Sequence, residues 1–116
     1  MNIPKSHFPL IAAVNHATDT LGLYRAELAR ILGLKCGDVS NSAQLACLLE
    51  SNSELRYKAQ QFVSLFEALE RKFENDTVAL VHWLRVSNPV LHTTPFLALV
   101  DDGRLDDVVS VLSLKR

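Results

Sequence analysis

The chain has 116 residues, of which 48% are hydrophobic, and a formal net charge of −1. That length fits one domain able to bury roughly two thirds of its unfolded surface, so its core needs neither disulfide nor metal. The near-neutral balance excludes a strongly basic nucleic-acid binder, though not a local basic face, and no apolar run is long enough to span a bilayer.

Near the N-terminus, Lys5 precedes an apolar stretch from Phe8 to Val14. Pro9 breaks that stretch, and Asn15 and His16 follow it, so no signal peptide is expected. Cys36 and Cys47 are too far apart for a zinc site or a CxxC redox motif. They read as reduced thiols of a cytoplasmic protein.

Phe8 to Thr18 is the first helix expected, with Leu10, Val14 and Ala17 at helical spacing and Pro9 in its first turn. Leu21-Gly22-Leu23 reads as a connection. Arg25 to Leu32 is a second helix, and Gly33 stands where a left-handed C-cap belongs. Lys35 to Asn41 reads as a short helix or turn with Val39 inward, and Ala43 to Leu49 as another short helix. Ser53 opens the longest element, running to about Phe73. Leu55, Ala59, Phe62, Phe66, Leu69 and Phe73 alternate at spacings of four and three, which is a buried seam. Val63 and Leu65 widen it, so neighbours are expected on two sides.

Asn75 or Asp76 caps the next helix, Thr77 to Val86, with Val81 and Leu84 inward. Asn88-Pro89 ends it. Thr94-Pro95 supplies a cap and a first-turn proline for a further helix, which Asp101-Asp102-Gly103 closes. Leu105, Val108, Val109 and Leu112 give the last amphipathic helix. No period-2 strand pattern stands out. The expected fold is all-α, a compact unit in three stretches. Residues 1–52 form an N-terminal helix-turn-helix-like region, 53–74 a long central helix, and 75–116 a C-terminal bundle of short helices.

Tyr24 to Ser40 resembles the helix-turn-helix of the Cro/Xre repressor class. Ala29 is small where two helices cross, Gly33 permits the turn, and Leu34 and Val39 bury the second helix. In that arrangement Arg25, Arg30, Lys35, Ser40 and Asn41 are the candidate DNA contacts. Asp38 repels phosphate and Gly37 offers no reading group. A retained fold that no longer reads DNA therefore stands beside the DNA-binding reading.

Downstream, Trp83-Leu84, Asn88-Pro89, Leu91, Thr94-Pro95, Leu97, Gly103, Val108 and Leu112 resemble the toxin-binding domain of Xre/MbcA/ParS-type antitoxins. The resemblance implies the antitoxin of a type II toxin–antitoxin pair. Its partner would be a RES-domain toxin that consumes NAD or transfers ADP-ribose from it, blocked sterically at its NAD-binding cleft. Leu91, His92, Leu97, Arg104, Lys115 and Arg116 are the candidate toxin contacts. The resemblance also implies homodimers, with leftover apolar surface on the first helix and the long seam as the interface, and repression of the protein's own operon. The chain departs from the family pattern at His92-Thr93-Thr94, where a glycine pair is common. The turn geometry there is the open point.

The remaining polar residues read more plainly. Trp83 is expected as a core anchor rather than a partner contact. His7, His16, His82 and His92 lack metal spacing. Asp101-Asp102 and Asp106-Asp107 read as helix-terminus and solvent-face residues rather than a metal or catalytic pair. No catalytic triad or phosphate loop stands out, so neither an enzyme nor a cofactor is expected. The alternatives to an antitoxin are a helix-turn-helix transcriptional regulator without a toxin and a plain helical interaction module.

Overall fold

The computed structural model describes residues 8–34, 42–101 and 103–114. Seven α-helices run through them, with no strand among the described residues. The Cα radius of gyration is 14.0 Å, against about 13 Å for a compact chain of this length, so the helices fold back on one another.

Helix α1 spans Phe8–Leu21, three residues beyond the expected end at Thr18. The stop comes at Gly22, whose φ of 73° lets the Leu23 N–H reach back 3.0 Å to the Thr18 carbonyl. This left-handed residue satisfies a terminal carbonyl at no steric cost. Thr18 is buried, and its hydroxyl donates to the Val14 carbonyl at 2.7 Å.

Helix α2, Arg25–Leu32, has the bounds expected. The Glu27 carboxylate accepts from the Tyr24 N–H at its start. At its end Gly33 is left-handed, and the Leu34 N–H bonds the Ala29 carbonyl at 2.8 Å. The segment read as Lys35 to Asn41, with Val39 inward, lies outside the described residues.

Helix α3, Ser42–Ser51, is longer at both ends than expected and buries Leu45 and Leu49. Helix α4, Ser53–Lys72, starts where the Asn52 side chain accepts from the Leu55 N–H. Its seam residues Leu55, Ala59, Phe62, Phe66 and Leu69 are buried, and so is Leu65; Phe73, the last seam position, is half-buried. Helix α4 is the axis of the fold, packing against α1, α2 and α3 and against two helices that follow it.

Glu74 and Asn75 turn the chain with positive φ. The Asp76 carboxylate then caps helix α5, Thr77–Arg85, by accepting from the Ala79 N–H at 3.2 Å. The inward pair is Leu80 and Leu84; Val81, expected inward, is half-buried. Trp83 is half-buried as well, packed against the core.

Asn88 closes the following turn three ways. Its N–H bonds the Thr93 carbonyl, its carbonyl accepts from Leu91 and His92, and its side chain accepts from the Val90 N–H. His92 takes a φ of 62° at this turn, a left-handed conformation that glycine adopts without strain.

Helix α6, Pro95–Val100, begins as expected, with the Thr94 hydroxyl accepting from the Leu97 N–H and Pro95 in the first turn. Helix α7, Leu105–Leu114, buries Leu105, Val108 and Val111, with Val109 and Leu112 half-buried. It lies along α4 and also packs on α6, while α6 packs on α2 and α5.

Leu10, Ile11, Val14, Ala17 and Leu21 of α1 are buried within the chain, as are Leu55, Ala59, Phe62, Phe66 and Leu69 of the α4 seam.

Candidate functional site

Burial of the inward faces leaves an uneven outer surface. Among the described residues the exposed large apolar side chains are Tyr24, Tyr57, Val78, Val86, Val90 and Leu97. Four of those six lie between α5 and α6. Val78, His82 and Arg85 fall on one exposed side of α5, because positions four and seven apart share a helix face; Val86, exposed as well, follows the helix in extended conformation. Leu80 and Leu84 are drawn into the core on the other side, which fixes the rotation of α5. Val90 projects from the Asn88 turn and is 60% exposed; Leu97 on α6 is 40% exposed.

Helices α5 and α6 are joined through this surface. The Arg85 guanidinium lies 4.0 Å from the centroid of the Phe96 ring, a stacking distance at which the cation meets the negative face of the π-system.

The candidate toxin contacts divide. His92 and Leu97 are exposed. Leu91 is 1% exposed and belongs to the core, because the Asn88 turn folds it inward; this corrects its expected role as a contact. Arg104 is half-buried and is held within the chain. It donates to the Leu91 carbonyl at 3.0 Å and to Asp107 at 2.8 Å, so it ties the turn to the start of α7 rather than forming part of a cationic tail. Lys115 and Arg116 lie outside the described residues.

The candidate DNA contacts divide similarly. Arg30 donates to the Val100 carbonyl at 3.0 Å and to Asp101 at 3.3 Å. Val100 ends α6, so its carbonyl has no partner within its own helix, and Arg30 supplies one. Arg25 donates to the Asn15 side chain at 2.9 Å. Both arginines of α2 therefore tie α2 to neighbouring elements. Lys35, Ser40 and Asn41 lie outside the described residues.

Two clefts accompany these faces. One, of about 360 Å³, lies between α2, α4 and α7, where Arg30 and Lys58 face Glu54 and Asp106. Its opposed charges give no preference for ligands of one sign. The other, of about 250 Å³, lies beside Val90, Arg104 and Val111. No group of His, Cys, Asp or Glu residues among the described residues is placed to hold a metal, and no helix among them is long and apolar enough to cross a membrane.

The sequence reading missed Val78, Arg85, Val86, Val90 and Phe96. The available signal was the pattern of α5 itself, since once Leu80 and Leu84 are inward, Val78 and Val86 are left outward. No protein-family model matches the chain, and no curated protein matches it.

Proposed function

We propose that the chain is the antitoxin of a type II toxin–antitoxin pair, which binds a RES-domain toxin and blocks its NAD-binding cleft. The observation that carries this reading is the concentration of exposed apolar side chains on α5, the Asn88 turn and α6. That stretch is also where the sequence resembles the toxin-binding region of Xre/MbcA/ParS-type antitoxins. Exposed apolar clusters mark surfaces that another protein covers. Blocking is steric and asks for no catalytic group on this chain. His92 and Leu97, both exposed, are the toxin contacts of that stretch, and the cationic Lys115 and Arg116 suit the pyrophosphate-binding part of the cleft.

Co-expression with the product of the neighbouring reading frame, expected to be a RES-domain protein, tests the reading. The expected outcome is a stable complex, restored growth and a preserved NAD pool. Growth arrest that persists while this protein is present and folded sinks it. Repression of the operon rests on Lys35, Ser40 and Asn41. A salt-sensitive mobility shift on the upstream DNA, with no effect on toxicity, would instead favour a transcriptional regulator.

A further inference from the structure

From Thr77 to Val100 the chain has no aspartate or glutamate, although it holds 13 acidic residues in all. The ionisable groups of that stretch are His82, Arg85 and His92, all exposed. Arg85 differs from Arg25, Arg30, Arg56 and Arg104. Arg30, Arg56 and Arg104 each donate to a backbone carbonyl, and Arg25 to an asparagine side chain. Among the described residues Arg85 has its stack on Phe96 and no hydrogen-bond acceptor. A cation–π contact uses the guanidinium's charge without using up its N–H donors. The exposed apolar positions of the same stretch are Val78 and Val86, which flank Arg85 in sequence, Leu97, next to Phe96, and Val90 in the turn.

We propose that Arg85 is the anchor of this stretch, receiving an aspartate or glutamate carboxylate of the toxin while exposed apolar side chains of α5 and α6 bury partner surface. The assignment rests on the functional reading above. A planar guanidinium presents two parallel N–H groups to a carboxylate, and charge-assisted pairs of this kind are among the stronger hydrogen bonds. Pre-ordering by Phe96 lowers the entropy lost on binding. An apolar surround excludes water from such a pair, which is how a few residues come to dominate an interface. The absence of acidic groups from the stretch removes any carboxylate there that would compete for Arg85 or repel an acidic partner.

The test uses the full chain and the co-expressed RES-domain toxin, with affinity measured by titration at low and moderate salt. Arg85→Lys keeps the charge and loses the fork, and it should weaken binding by roughly tenfold or more. Arg85→Ala should weaken it further, with thermal unfolding of the free protein nearly unchanged. Phe96→Leu keeps an apolar side chain and removes the platform; combined with Arg85→Ala it should cost less than the two changes added, because both act on one contact. His82→Glu places an acid on the face and should weaken binding as well. A wild-type complex that Arg85→Lys leaves unchanged overturns the anchor and spares the functional reading. Failure of the wild-type chain to bind the toxin overturns both. Self-association that Arg85→Ala abolishes gives the face to a second copy of this chain and overturns the toxin assignment.

Discussion

The outer side of α2 and the outer side of α5–α6 carry the same kinds of residue in different states. On α2, Arg25 and Arg30 are engaged by Asn15, the Val100 carbonyl and Asp101. On α5, Arg85 rests on an aromatic ring with no acceptor among the described residues. The first pair stitches elements together across the fold, and the other is a donor that the described residues leave without an acceptor. Whether a surface cation serves stability or recognition is set by which acceptors the fold brings to it. A basic residue on a helix is therefore weak evidence for a contact until its partners are known.

The largest expected effect separates the two leucines once grouped as contacts. Leu91 is 1% exposed and Leu97 is 40% exposed. Leu91→Ala should destabilise the protein by about 2–5 kcal/mol, the usual cost of emptying a core leucine site. Leu97→Ala should cost about 1 kcal/mol or less. Urea unfolding of the two variants measures the contrast. Equal losses would mean that the Asn88 turn does not bury Leu91.

A middle-sized effect separates the arginines. Arg30→Ala strands the Val100 carbonyl at the end of α6 and removes the Asp101 pair. Both Arg30 and Asp101 are more than half exposed, so water recovers part of that loss. A destabilisation of roughly 1–2 kcal/mol is expected. Arg85→Ala removes a single cation–π contact on the surface and should cost about 1 kcal/mol or less. The two should reverse in the toxin-binding assay, where Arg85 matters and Arg30 does not. An Arg30→Ala protein as stable as the wild type would undo the distinction between the faces.

Local signals carried much of the fold. The start of α2 and its Gly33 stop, the Thr94 cap and the α4 seam are legible, because each is decided by residues within one or two turns; the cap of α5 is legible only as Asn75 or Asp76, and it is Asp76. The end of α1 was read early, since the stop lies in Gly22 and not in the polar Thr18. Long-range partners were not legible. The acceptor of Arg30 is 70 residues away in sequence, and that of Arg104 sits in a turn with no periodicity of its own. The burial of Leu91 was hidden for the same reason. A leucine in a connection has no repeat to reveal its direction, and only the Asn88 hydrogen bonds fix it. Helices α5 and α7 have their inward faces turned slightly from the expected ones: Leu80, expected close to the inward face, is buried and Val81 half-buried, and Val111 joins Leu105 and Val108. A short helix with apolar residues on several sides leaves its orientation to the neighbours it meets.

The smallest effects concern two turns that both use positive φ, with opposite residues in them. Gly33 is at 75° and His92 at 62°. Gly33→Ala puts a methyl into the left-handed region, 3.2 Å from the Lys58 Nζ. The lysine end can move aside, so the backbone dominates and a loss of roughly 1 kcal/mol is expected. His92→Gly runs the other way. It relieves about 1 kcal/mol of left-handed strain, and it adds unfolded-chain entropy of about 0.4–1 kcal/mol that folding must remove. The balance should be a gain of a few tenths of a kcal/mol or none, read from thermal unfolding of the pair of variants. The same substitution removes an exposed imidazole from the proposed binding face. If His92→Gly leaves stability level and weakens toxin binding, the histidine is held in a glycine's conformation for the sake of the contact. If binding is also unchanged, His92 only tolerates that turn, and the recognition surface contracts to α5, Val90 and α6.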